Sequence, residues 1–281
     1  MNRLAAAACA GAVLLAAAAC VATAQPAAPP AATTPSASPA PTTIGAPPSE
    51  SLRPTGSLNA DQPGQVLDGL DVRGAVTVSA PGVVIQRSRF TGTGADYFAI
   101  TTTGAGSVTI RNVTITGDYR SAAIAFHNWT AERVDISGMT HDGVKLGNNV
   151  RLADSWIHDF APAPGAHSDG AQSDHLAGSI LVEDNVIDPG TAEEVTSAII
   201  LSSSPDPTPA VAGPVTIRDN VLGGGANTLY HNPDYPDVEI TGNTFRRDYR
   251  YQPIYPGPPP KVFSGNRFPD GTAVSWPPPD S

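Results

Sequence analysis

The residues able to do chemistry crowd the middle of this 281-residue chain. All six histidines, His127, His141, His158, His167, His175 and His231, fall there. Two segments carry an Asp-Gly pair just after a histidine: His141-Asp142-Gly143 and His167-Ser168-Asp169-Gly170. Lys145 follows Asp142 by three residues, and Gln172 follows Asp169 by three. If the two segments lie side by side, two carboxylates share one site, so one pKa rises or a cation sits between them. Lys145 or His167 can act as a base, and Tyr230 can protonate a leaving oxygen. Gln172 or a cation can neutralise a substrate carboxylate. The expected catalytic set is therefore Asp142, Lys145, His167, Asp169, Gln172 and Tyr230. Asp174, His175, His127 and His231 are expected to contact substrate. Asp142 and Asp169 are candidate ligands for Ca2+, the one cofactor considered. The bland alternative is that Asp-Gly is turn chemistry and that the exposed His and Lys are ordinary surface.

Composition limits the elements that can hold these residues. Glycine (27) and proline (29) make up about a fifth of the chain, with 15% charged and 6% aromatic residues. That is not the Glu-, Lys- and Leu-rich make-up of a helical bundle. An apolar share of 40% still supports a core. A net charge of -10 argues against nucleic acid as a partner, because phosphate binding needs a basic face.

Residues 1–24 read as an export signal. Arg3 is the positive start, Leu4–Ala19 is apolar but short of the ~20 residues of a membrane span, and Ala22-Thr23-Ala24 is a small-x-small cleavage site. Leu15–Cys20 loosely resembles a bacterial lipoprotein box, so lipidation of Cys20 would tether the chain to a membrane. Both cysteines, Cys9 and Cys20, lie inside this segment, and a cleaved chain has no disulfide. Residues 25–60, rich in Pro, Ala, Ser and Thr, are expected to be a disordered linker. The folded domain is expected over 61–272, as a monomer, with a flexible tail over 273–281.

That domain repeats itself. A β-branched strand, a polar marker and an apolar bend recur with markers at Ser88, Asn112, Arg133, Ser155, Asn185, Asn220, Asn243 and Asn266. The spacings are 24, 21, 22, 30, 35, 23 and 23. Alternation within each copy predicts strands, and most repeats are too short for propeller blades of ~40–45 residues. About 22 residues suit one coil of three short strands. The excess at the two long spacings predicts loops at 160–167 and 202–213, where functional faces are often built.

The pattern over residues 64–268 resembles the right-handed parallel β-helix of the pectate-lyase-like superfamily. The resemblance implies an all-β, single-stranded solenoid of about eight to nine coils. It also implies an internal asparagine ladder at the bend, where Asn tolerates a left-handed backbone. A second strand in each coil includes Ala123–Phe126, Gly143–Leu146, Gly170–Ser173, Ala198–Leu201 and Thr228–His231. Alternation sends Ile124, Phe126, Val144, Leu146, Ala171, Ser173, Ile199, Leu201 and His231 inward. Ala125, Lys145, Gln172, Ile200 and Tyr230 then form an outer column with ~4.8 Å steps.

The strand His167-x-Asp169-Gly170-x-Gln172 is similar to secreted β-helix repeat proteins without an assigned mechanism. The signatures of calcium pectate lyases, polygalacturonases and alginate epimerases are missing. The expected activity is carbohydrate-directed, on an extracellular polysaccharide, with the protein secreted or surface-tethered. Three readings stay open: a lyase performing β-elimination on a uronic-acid polymer, a hydrolase using paired Asp carboxylates, and a non-catalytic binder.

Overall fold

A computed structural model of the protein describes residues 44–48, 51–173, 179–201, 213–231 and 237–277, all within the unit running from Ser36 to Ser281. The expected export signal with Cys20, the candidate residues Asp174 and His175, and nearly all of the expected 202–213 loop lie outside the described residues. Among the described residues twenty-seven strands form three parallel sheets of nine, A, B and C, whose first strands are Arg53–Thr55, Leu58–Ala60 and Val66–Asp68. Successive strands pass from sheet A to B to C and back, each pairing with the strand one coil later. The chain is therefore a right-handed parallel β-helix of nine coils.

Alternation explains why each short strand forms where it does. In sheet A, Phe90, Ile115, Ile136, Ile157 and Ile187 face inward in register and are fully buried. In sheet C, Ile85, Ile110, Ala131, Leu152 and Val182 do the same. β-Branched residues suit this pleated, stacked surface.

The coil starts and ends beyond the expected limits. Strands Arg53–Thr55 and Leu58–Ala60 pair with the next coil, inside the stretch read as a linker. Farther upstream, Gly45 N donates to Arg133 O (3.0 Å) and Ala46 N to Thr114 Oγ1 (2.9 Å), so residues 44–48 are held against the solenoid. At the other end Val274 is buried. Trp276 Nε1 donates to Gly257 O at 2.7 Å, and its ring packs on Phe263. The expected flexible tail is therefore anchored at least to Trp276.

The ladder is present, one position away from the expected marker in two coils. Asn185, Asn220, Asn243 and Asn266 are buried. The side-chain oxygen of each accepts the backbone N–H at the same bend of the preceding coil, at 2.9 to 3.0 Å, with Ser155 N opening the series. The side-chain amide of Asn220 donates to Val182 O and to Asn243 Oδ1. Left-handed backbone belongs to the residue before the ladder position: Asn112 (φ 52), Arg133 (φ 53), Asp184 (φ 57) and Asp219 (φ 58). Asn112 and Arg133 are thus bend residues, and buried Val113 and Val134 hold their ladder positions. Asn serves the ladder because it offers acceptor and donors inside the bend, not because it tolerates the left-handed region.

Candidate functional site on the outer face of sheet B

Sheet B departs from strict alternation, and that departure builds the site. Ala99 and Ile100, Ala123 and Ile124, and Ala198 and Ile199 are successive residues that all belong to the core. Gly143 and Gly170 occupy the first of these paired positions. A Cβ on Gly143 would lie 3.0 Å from Ile157 Cγ2 and 2.4 Å from Gly170 O. One on Gly170 would lie 2.5 Å from Ile187 Cγ2. Glycine follows Asp142 and Asp169 because the core leaves no room for a side chain there, and turn chemistry is not the reason.

With two inward residues in the middle of the strand, positions three apart both face out. One outer column runs Phe98, Ala122, Asp142, Asp169, Ser197, Asn227, Gln252. The other contains Lys145, Gln172, Ile200 and Tyr230, as expected, and continues to Tyr255, whose N–H donates to Leu229 O. Phe126 breaks the expected inward pattern: it is 39% exposed and sits edge-on to Phe98 at 5.0 Å.

The two columns touch. Lys145 Nζ lies 2.5 Å from Asp142 Oδ2 and also donates to Gln172 Oε1. Asp142 Oδ1 accepts the backbone N–H of Asp169 at 2.9 Å. Asp169 Oδ1 accepts from Ser197 Oγ at 2.5 Å, which brings the strand Val195–Leu201 into the site. Two coils on, Asn227 Nδ2 donates to the Tyr230 hydroxyl at 2.7 Å, and the rings of Tyr230 and Tyr255 stack at 4.9 Å. Burial pushes the Tyr230 phenol above its ordinary value. The Asn227 hydrogen bond opposes this shift, while Asp169 and Tyr255 add to it. Tyr230 therefore stays protonated at neutral pH.

The expected set divides accordingly. Asp142 and Asp169 are adjacent but buried, at 5% and 1% exposure. They hold the network together from beneath, while Lys145, Gln172 and Tyr230 are partly exposed. His167 is exposed, at the end of the 159–167 loop and just before the strand Ser168–Ser173. Tyr230 stands three coils from Lys145, about 14 Å along the axis. One glycosidic bond therefore cannot use both residues as acid and base.

His127 is exposed at the lower end of the face, and its Nδ1 accepts from Asn148 N at 2.9 Å, which places the ring proton on Nε2. His231 is buried, as its parity indicated; its Nδ1 donates to Pro258 O (3.1 Å) and its ring meets Trp276, so it does not reach the outer face. A calcium ion does not fit the Asp pair: it takes 6–8 oxygen ligands, and the Lys145 ammonium already sits on Asp142. Among the described residues no group of three or more His, Cys, Asp or Glu is arranged to hold a metal.

Sheet A carries a cluster that the sequence reading passed over. His158 Nε2 lies 3.0 Å from Asp135 Oδ1 and Nδ1 lies 2.8 Å from Asp159 Oδ2. Its ring stacks on Trp156 at 3.4 Å. Burial lowers the imidazole pKa, but the two carboxylates outweigh burial and leave it above 6.5. The Trp156-x-His158 spacing, with both residues on the outer parity, was the available signal. On sheet C, Arg111, Glu132, Arg151, Glu183 and Arg218 pair in a continuous chain of alternating charge across the coils. In comparisons with known proteins, no family model, no curated protein and no solved structure matches this chain.

Proposed function

We propose that this is an exported carbohydrate-active β-helix of the pectate-lyase-like superfamily, secreted or held at the cell surface. It lays an extracellular uronic-acid polymer along sheet B and cleaves it by β-elimination. The observation that supports this is the run of Lys145, Gln172, Ile200 and Tyr230 at one accessible position of four successive coils. A solenoid face with side chains repeated in step suits a polymer that also repeats.

In this reading Lys145, kept ionised by Asp142, and Gln172 take the uronate carboxylate and stabilise the charge that develops as the C5 proton leaves. His167 accepts that proton. The electron pair forms the C4–C5 double bond, the C4–O bond breaks, and solvent protonates the leaving oxygen. Asp142 is poorly suited to attack a sugar, because one oxygen holds the Asp169 N–H and the other holds Lys145. Hydrolysis by the paired carboxylates is therefore the weaker chemistry. The burial of Asp142 and Asp169 favours one second reading, a non-catalytic binder that uses the same face.

The test is to incubate the protein with alginate, polygalacturonate and xylan, reading ultraviolet absorbance of unsaturated product and reducing ends together. β-Elimination raises both on a uronate polymer. Reducing ends alone mean hydrolysis, and binding without either signal means the second reading. Under the lyase reading Asp169→Asn keeps the Ser197 hydrogen bond and the fold but loses most activity. Full activity in that variant would remove Asp169 from the machinery.

A further inference from the structure

Exposed aromatic side chains are concentrated on one stripe of this molecule. Five large apolar side chains are exposed among the described residues, and four of them are Tyr97, Phe126, Tyr251 and Tyr255. All four flank the outer face of sheet B. Tyr97 directly precedes Phe98, and Tyr251 directly precedes Gln252, the corresponding position near the other end of the same column.

We infer that the stripe carries two ring-stacking subsites, one on each side of the charged centre, and that a single polysaccharide strand engages both. The lower platform is Phe98 with Phe126, its rings 5.0 Å apart and edge-on, with Tyr97 beside them at 6.3 Å. The upper platform is Tyr230 stacked on Tyr255, with Tyr251 next to it in the chain. Between them lie Asp142, Lys145, Asp169 and Gln172. From the strand of Phe98 to that of Gln252 is six steps along the sheet, about 29 Å.

Sugar rings are the occupant that fits this order of groups. A pyranose presents an apolar C–H face to an aromatic ring and hydroxyls to amides; Asn227 stands beside the upper rings, and Gln172 lies two coils away from them, between the platforms. Asn227 Oδ1 is buried at the upper platform with no hydrogen-bond partner, and an unsatisfied buried acceptor calls for a group that completes it. A net charge of -10 disfavours polyanions, nucleic acid and polyuronate alike, so a uronate strand has Lys145 for its charge and depends on ring stacking elsewhere. The inference rests on the carbohydrate reading above and adds to it that ring stacking carries the contact at both ends.

The experiment uses the full chain with Phe126→Ala, Tyr255→Ala and Tyr255→Trp, checked for an unchanged circular dichroism spectrum. Calorimetry follows binding of alginate, polygalacturonate and xylan, each as polymer and as a graded series of oligomers. Each Ala variant is expected to weaken long oligomers about tenfold, to leave the shortest ones unchanged, and to keep that loss in high salt, where charge contacts are screened. Tyr255→Trp should bind as the parent does. If the parent binds a polymer and both Ala variants bind equally well, the two-platform inference falls while the carbohydrate reading stands. Equal weakening at every length overturns the spanning strand. Binding of xylan alone removes the uronate substrate but keeps the platforms, and no binding of any of the three removes both.

Discussion

Lys145 and Asp142 form an ion pair that is mostly out of water, with side-chain exposures of 13% and 7%. A buried pair contributes little net stability, but removing one partner strands the other charge at ~3–5 kcal/mol. Lys145→Met is therefore expected to lose about that much in urea unfolding, and the double change Asp142→Asn with Lys145→Met should recover most of it. A small loss in the single variant would mean that water reaches Asp142. His158 makes the other residue-scale claim. Its folded pKa is raised, so the charged form is favoured in the native state. The stabilisation is complete below the unfolded value near 6.5 and is lost as pH rises through the folded value. Thermal unfolding across pH 5 to 9 should show this decline in the parent, and His158→Gln should flatten it.

At the scale of the element, the bend separates two jobs that look alike in sequence. Asn220 accepts from Asn185 N and shares its two amide hydrogens among Val182 O, Arg218 O and Asn243 Oδ1. Asn220→Leu leaves several buried groups unpaired at ~1–3 kcal/mol each, so a loss of several kcal/mol is expected. Asn112 occupies a left-handed backbone position, and its side-chain oxygen accepts from Arg133 Nη2 at 3.5 Å on a half-buried bend, so Asn112→Gly should cost much less than Asn220→Leu. Denaturant melts of the two variants compare them directly, and equal effects would contradict the division. The sequence displayed the ladder where four Asn recur late in the chain. It hid the register early on, because Asn112 offered a polar residue one place before the true position. Sheet B hid its two consecutive inward residues for a related reason: period-2 alternation is the default expectation, and the small residues that mark the departure, Ala123, Gly143, Gly170 and Ala198, are also common in loops.

Across the whole molecule, the ends are where a solenoid is vulnerable. Each coil covers its neighbour, and a terminal coil needs a cap to blunt its open strand edges. Residues after Ser264 serve this purpose: Phe268 and Val274 are buried, and Trp276 packs on Phe263. A chain ending at Ser264 is expected to elute as aggregate in size-exclusion chromatography where the full chain does not. Unchanged elution would show that this segment is dispensable.

The sequence by itself determined the solenoid. A coil of about 22 residues with alternating β-branched strands has few ways to bury its apolar faces, and stacking on copies of itself satisfies all of them. It also located the outer column of Lys145, Gln172, Ile200 and Tyr230, because equal position in the repeat becomes adjacency in space. Tertiary structure alone decided what those neighbours do. The closure of Asp142 on Lys145 and on the Asp169 N–H and the entry of Ser197 depend on distances between coils and on which side chains the core crowds outward. So do the Phe98–Phe126 contact and the His158 cluster. These are properties of packed surfaces, and a one-dimensional pattern does not contain them.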